Sequence, residues 1–167
     1  MAWLRVLGLG LILSVGLASA PRGSSARTVR SAQGSIVINE VQANPAAADI
    51  ESDFEWVELF NPGPEGVALG GWHLSDARAM TTLPDVDIAP GGYVVVGGPR
   101  FAERFPNAPG GRVTVPRLGN GLGNSGDELS LADADGQVVD ALSWGENSSV
   151  FDPPVPAAPG GGVGRRQ

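Results

Sequence analysis

The chain contains no cysteine and no lysine. Without cysteine there can be no disulfide, no thiolate metal ligand and no thiol nucleophile. Histidine and tyrosine occur once each, as His73 and Tyr93. Any Ser-His-Asp triad would have to be built on His73, and acid–base chemistry has little beyond carboxylates to draw on. Helical periodicity is scarce, and no βαβ alternation occurs, which excludes a parallel α/β sheet. Basic charge is also short: 11 arginines face 18 acidic residues, for a net charge of −7. Such a chain repels nucleic acid and anionic lipid over most of its surface. Nucleic acid is therefore not an expected partner.

What is present begins with the N-terminus, MAWLRVLGLGLILSVGLASA. It carries one early charge, Arg5, then an uncharged apolar run from Val6 to Leu17, and closes on Ala18-Ser19-Ala20 before Pro21. That order of charge, apolar run and small-residue cleavage site describes a secretory signal peptide over residues 1–20. The alternative is an uncleaved anchor. Against it, the run of about twelve residues falls short of the ~20 a membrane span needs. No cysteine follows the run, so a lipoprotein anchor is not expected. Cleavage would remove a single positive charge, Arg5, taking −7 to −8, and leave 147 of 167 residues. That is enough for one domain with a core, and no membrane span is expected in it. The expected location is secreted or extracytoplasmic. Residues 21–34, PRGSSARTVRSAQG, are rich in Ser and Arg and poor in apolar side chains, the composition of a flexible linker.

From Ser35 the chain holds short apolar runs separated by turn chemistry. Strand candidates are Ile36–Ala43, Glu55–Asn61, Val67–Leu69, Trp72–Asp76, Tyr93–Gly97, Arg112–Val115, Glu128–Ala132 and Gln137–Trp144. Asn44-Pro45, Asn61-Pro62 and Gly70-Gly71 punctuate them. Period-two alternation puts Trp72 and Leu74 on one strand face and His73 and Ser75 on the other. Leu129 and Leu131 likewise oppose Glu128 and Ser130. Trp72, Leu74, Leu129 and Leu131 are the expected core, with Trp72 buried between sheets. The one helical candidate is Arg100–Phe105, started by Pro99 and stopped by Pro106. Eight short strands with frequent turns describe an all-β sandwich or barrel with at most one short helix. The domain is expected over residues 35–151. Residues 152–167, rich in Pro and Gly, form either a tail or a weak edge strand at Val163–Arg166.

Six blocks in register, INEV (38–41), EWVELFNP (55–62), LGGWHLSD (69–76), APGGYVVV (89–96), LGNSGDELSLADADG (122–136) and VVDALSWG (138–145), resemble the lamin tail domain family, in its secreted bacterial type. The resemblance spans about Ser35 to Gly145. It implies an immunoglobulin-like β-sandwich with no enzymatic activity common to the family. In bacteria such domains often stand beside nucleases or other catalytic domains.

Several motifs invite a chemical reading. GLGNSG (121–126) matches G-x-G-x-x-G, but a dinucleotide site needs a helix after it, and DELSLAD alternates like a strand. A glycine-rich corner with positive φ is the structural reading. GNSGD (123–127) echoes a serine-protease nucleophile motif without a base beside it. DADG (133–136) lacks the further ligands and flanking helices of a calcium loop. It reads as a hairpin turn. Asn147-Ser148-Ser149 matches a glycosylation sequon. The acidic set Asp49, Glu51, Asp53 and Glu55, leading to Glu58, is the one place where carboxylate oxygens could gather around calcium. The competing reading is a solvated acidic loop. Glu40 and Glu58 sit inside strand runs, facing solvent or pairing with Arg. Trp56 and Trp144 could be packing residues or part of a carbohydrate-binding strip.

Together these features describe a non-catalytic, exported binding or display module with no cofactor beyond possible calcium. Its expected partner is an extracellular protein or a polysaccharide. The rival readings are a domain that binds a polysaccharide or a nuclease partner in trans, and a metal-dependent hydrolase using the acidic loop.

Overall fold

The computed structural model describes residues 36–46, 50–107, 110–161 and 164–165. The expected signal segment 1–20, the linker 21–34 and the metal candidate Asp49 lie outside the described residues. What is described is almost entirely β: β1 (Val37–Gln42), β2 (Trp56–Phe60), β3 (Val67–Ala68), β4 (His73–Ser75), β5 (Met80–Thr82), β6 (Asp87–Ile88), β7 (Tyr93–Gly97), β8 (Gly111–Thr114), β9 (Gly126–Ala132), β10 (Val138–Gly145) and β11 (Gly164–Arg165). One short helix, α1 (Phe101–Arg104), and a 3-10 turn at Glu51–Asp53 complete it.

Two main sheets form the sandwich. One runs β11-β1-β2-β7-β8 and the other β10-β9-β4-β5, with β3 and β6 as a separate ribbon. Pairing is antiparallel except between β7 and β8. Alternation sends Ile38, Val41, Val57, Leu59, Val94 and Val96 inward from the first sheet, and Leu74, Leu129, Leu131, Leu142 and Trp144 inward from the second. The core is therefore aliphatic with one indole, as the immunoglobulin-like class requires of two packed sheets. No helix among the described residues is long and apolar enough to cross a membrane.

Leu74, Leu129 and Leu131 are each at most 1% exposed. Trp72 differs from expectation. It is only half-buried, packing against the rim of the core. The reason is local: β4 begins at His73, so Trp72 still belongs to the Gly70-Gly71 bend, where its N–H donates to Leu69. Strand alternation does not yet govern its side chain. His73 lies on the outer face, its ring nitrogen 3.2 Å from the Thr82 hydroxyl.

The strand edges are closed in two ways. A bulge between Ile38 and Glu40 frees the Ile38 N–H, and the Asp140 carboxylate on β10 accepts it at 2.7 Å. That bond links the two sheets and occupies a donor that an edge would otherwise present. Within residues 152–167, an edge strand forms at Gly164–Arg165, while 152–161 are mostly irregular. Gly164–Arg165 pairs with Glu40 and Val41, and Val155 bridges Trp144. Phe151, Val155 and Ala157 pack on the core.

Candidate functional site: the glycine-rich loop and the acidic turn

At one end of the sandwich, the loop between β8 and β9 crosses the acidic segment that leads into β2. The loop, PRLGNGLGNSG over 116–126, has few side chains of its own to pack. Leu118 and Leu122 anchor it in the core, and hydrogen bonds to its backbone hold the rest. Gly119 N–H donates to the Thr81 hydroxyl at 2.9 Å, and that hydroxyl donates to Arg117 O. Asn120 N–H donates to the Asp76 carboxylate at 2.6 Å. Gly121 N–H turns back to Leu118 O, with Gly121 at φ +101, a conformation that selects glycine. Leu122 N–H donates to Glu55 Oε2 at 3.1 Å, and Gly123 N–H to Asp127 Oδ2 at 2.9 Å. The Trp144 indole donates to Gly123 O.

This hydrogen-bond set decides the G-x-G-x-x-G question. A glycine-rich loop cradles a phosphate by aiming free backbone N–H groups at it. Here five successive N–H groups, from Gly119 to Gly123, already have acceptors within the protein, three of them carboxylates. The loop is followed by β9 rather than a helix. The same carboxylates would repel an incoming phosphate.

The described part of the acidic set runs through the 3-10 turn at Glu51–Asp53. Glu51 stays at the surface and accepts from the Asn124 amide at 2.8 Å. The Asp53 carbonyl accepts from Arg100 N–H. Phe54 turns inward, with the Arg100 and Arg104 guanidinium groups 4.8 and 5.1 Å from its ring centre. Glu55 is only 3% exposed. Burial drives its carboxyl up from 4.5 to about 7, against the lowering influence of the Leu122 N–H and Arg117. The nearby Glu51 and Asp127 carboxylates add to the rise.

Among the described residues no three His, Cys, Asp or Glu side chains are placed to hold a metal ion. Calcium at 100 times its dissociation constant would add about 2.7 kcal/mol of stability. We expect no change in melting temperature between EDTA and millimolar calcium. A rise of several degrees, lost in Asp49→Asn/Asp53→Asn, would establish the calcium reading.

The other motifs resolve similarly. Asp133 accepts from the N–H groups of Asp135 and Gln137, and Gly136 sits at φ +77, so DADG is a hairpin turn between β9 and β10. Trp56 and Trp144 are both buried, at 8% and 5% exposure, so neither belongs to an exposed strip. Glu58 accepts from the Asn39 amide, and Glu40 lies opposite Arg165 in register. An apolar cleft between Val41, Leu142, Trp144 and Val155 measures about 10 Å³, the room of one water. Sequence reasoning missed the loop's anchors Asp76, Thr81 and Asp127. The signal for Asp76 was its place in a Ser-Asp turn after a strand, where it also accepts from Arg78 and Ala79 N–H groups.

Set beside known protein families, residues 29–146 match the Lamin Tail Domain. The match covers well over half of the chain and takes in β1 to β10, the loop and the acidic turn. No curated protein matches the chain.

Proposed function

The chain belongs to the lamin tail domain family, and from that membership we propose that it is a non-catalytic β-sandwich module, exported to bind or display at the cell exterior. One observation in particular supports the non-catalytic part. The glycine-rich loop, which looked most chemical in the sequence, is tied down through its backbone: Glu55, Asp76 and Asp127 each accept one of its N–H groups. Backbone N–H groups committed in this way are not free to stabilise a developing anion. The acidic balance of 18 against 11 supports a partner that is not a polyanion. The partner is an extracellular protein or a polysaccharide.

Export rests on the signal-peptide grammar of residues 1–20. Expression in the native host should yield a mature chain beginning at or next to Pro21, read by N-terminal sequencing of the culture medium. Recovery of the intact Met1 form in the membrane fraction would overturn the secreted reading. Capture of the medium's proteins and wall polysaccharides on the immobilised full chain tests the binding reading. No retention of either class would sink it.

A further inference from the structure

The outer face of the five-stranded sheet is roofed by α1 at the Trp56 end. There Phe101 of α1, joined by Phe105 just beyond it, packs over Trp56 and Val95. At the other end Phe60 and Tyr93 are cross-strand partners. Their rings stack, 4.6 Å apart and 25° from parallel. Tyr93 is 40% exposed. On its side away from Phe60, the next residue in register is Gly110, just ahead of β8. Gly110 has φ +83, and a Cβ there would lie 2.5 Å from the Tyr93 carbonyl oxygen. The backbone thus requires glycine at this point, so Gly110 itself places no side chain against Tyr93.

Two residues back along β2, on the same face as Phe60, Glu58 accepts a hydrogen bond from the Asn39 amide at 2.7 Å. Both side chains are half-buried. A carboxylate has about four acceptor positions and an amide has an acceptor and two donors, so this contact leaves hydrogen-bonding capacity on both groups. A stacked aromatic pair with an exposed tyrosine therefore lies next to a preset pair of acceptor and donor groups.

We propose that this face, built on Tyr93, Phe60, Glu58 and Asn39, binds a neutral polysaccharide. A pyranose ring presents an apolar C–H face, which suits an aromatic ring, and a rim of hydroxyls, which suits a carboxylate and an amide. Charge separates this ligand from the alternatives. A polyanion meets a chain of net charge −7 and Glu58 at the centre of the patch. A protein partner would have to desolvate that carboxylate at the middle of its interface, where charged residues are depleted. The inference deepens the binding-module reading above and rests on it.

The test uses the full chain, titrated calorimetrically with cellohexaose, chitohexaose and polygalacturonate. Binding is expected to at least one of the two neutral oligomers and not to polygalacturonate. Tyr93→Ala should weaken it by about tenfold or more, while Tyr93→Phe stays within about threefold, since the ring and not the hydroxyl carries the contact. Asn39→Ala, a second variant away from the rings, should weaken binding severalfold at an unchanged melting temperature. The proposal is overturned if neither neutral oligomer binds, if Tyr93→Ala and Asn39→Ala both leave the affinity unchanged, or if polygalacturonate binds as tightly. Capture of a secreted protein without any glycan binding would sink this inference and leave the binding-module reading standing. Release of new reducing ends from either oligomer would instead overturn the non-catalytic reading.

Discussion

Replacing Glu55 with Gln should make the protein more stable above pH 7 and flatten its stability profile between pH 4.5 and 7. The carboxyl has a value of about 7 in the fold against an ordinary 4.5, mainly because it is buried. Between those values the folded chain holds a proton that the unfolded chain has released. Stability from this group is therefore fully present below pH 4.5 and is lost as pH rises through 7. At 1.36 kcal/mol per unit, the loss is about 3 kcal/mol. Glutamine keeps a carbonyl oxygen for the Leu122 N–H, which Glu55 accepts at 3.1 Å, and carries no charge to desolvate. Urea denaturation of both proteins at pH 4.5, 6 and 8 reads the effect as a difference, so the other carboxylates cancel. The two profiles should meet at pH 4.5 and diverge to about 3 kcal/mol at pH 8, the variant being the more stable. Parallel profiles across the range would show that Glu55 is solvated and ionised throughout.

That carboxylate also shows where a sequence stops being legible. Alternating charges at 49, 51, 53 and 55 read as one solvated side of an extended loop. The chain instead makes a 3-10 turn at Glu51–Asp53, and a turn of three residues breaks a period of two. Glu55 then enters β2 from the inside, while Glu51 stays out. Trp72 misleads for a related reason: alternation applies only once the strand has begun. Where the apolar runs are long enough, as in Trp56–Phe60 or Tyr93–Gly97, pattern and structure coincide. The strands absent from the sequence reading, Met80–Thr82 and Asp87–Ile88, are two or three residues long around a Pro-Asp turn. They exist because Leu74 pairs with Thr81 across a hairpin and Val67 with Ile88, and such short strands are set by the pairing rather than by local propensity. The same holds for the glycine-rich loop. Its composition shows that no phosphate-binding helix follows. Only the fold shows that Asp76 and Glu55, far away in sequence, supply its acceptors.

Phe101→Ala is expected to cost about 3–5 kcal/mol, the usual range for an aromatic ring removed from a core. Against the ~5–15 kcal/mol available to a domain, that is a large share. The ring is 1% exposed and belongs to a second, smaller core on the outer face of the five-stranded sheet, with Trp56 and Val95. It lies directly on Gly97: a Cβ at Gly97 would fall 2.1 Å from the ring. Gly97→Ala alone should therefore cost about 1–3 kcal/mol by overpacking. In the Phe101→Ala background the obstacle is gone, and the added methyl should cost nothing or recover part of the loss. The double mutant is thus expected to be more stable than the sum of the single effects by about 1–3 kcal/mol, the coupling of residues in direct contact. Denaturation midpoints of the four proteins measure it. Additivity within about 0.5 kcal/mol would show that the two residues do not meet and that α1 is not seated on the sheet. The result also bears on the glycan-binding proposal, because α1 roofs the Trp56 end of the face and not the Phe60–Tyr93 end. If α1 is not seated there, Tyr93→Ala should no longer be singled out among the outer-face variants for loss of sugar affinity.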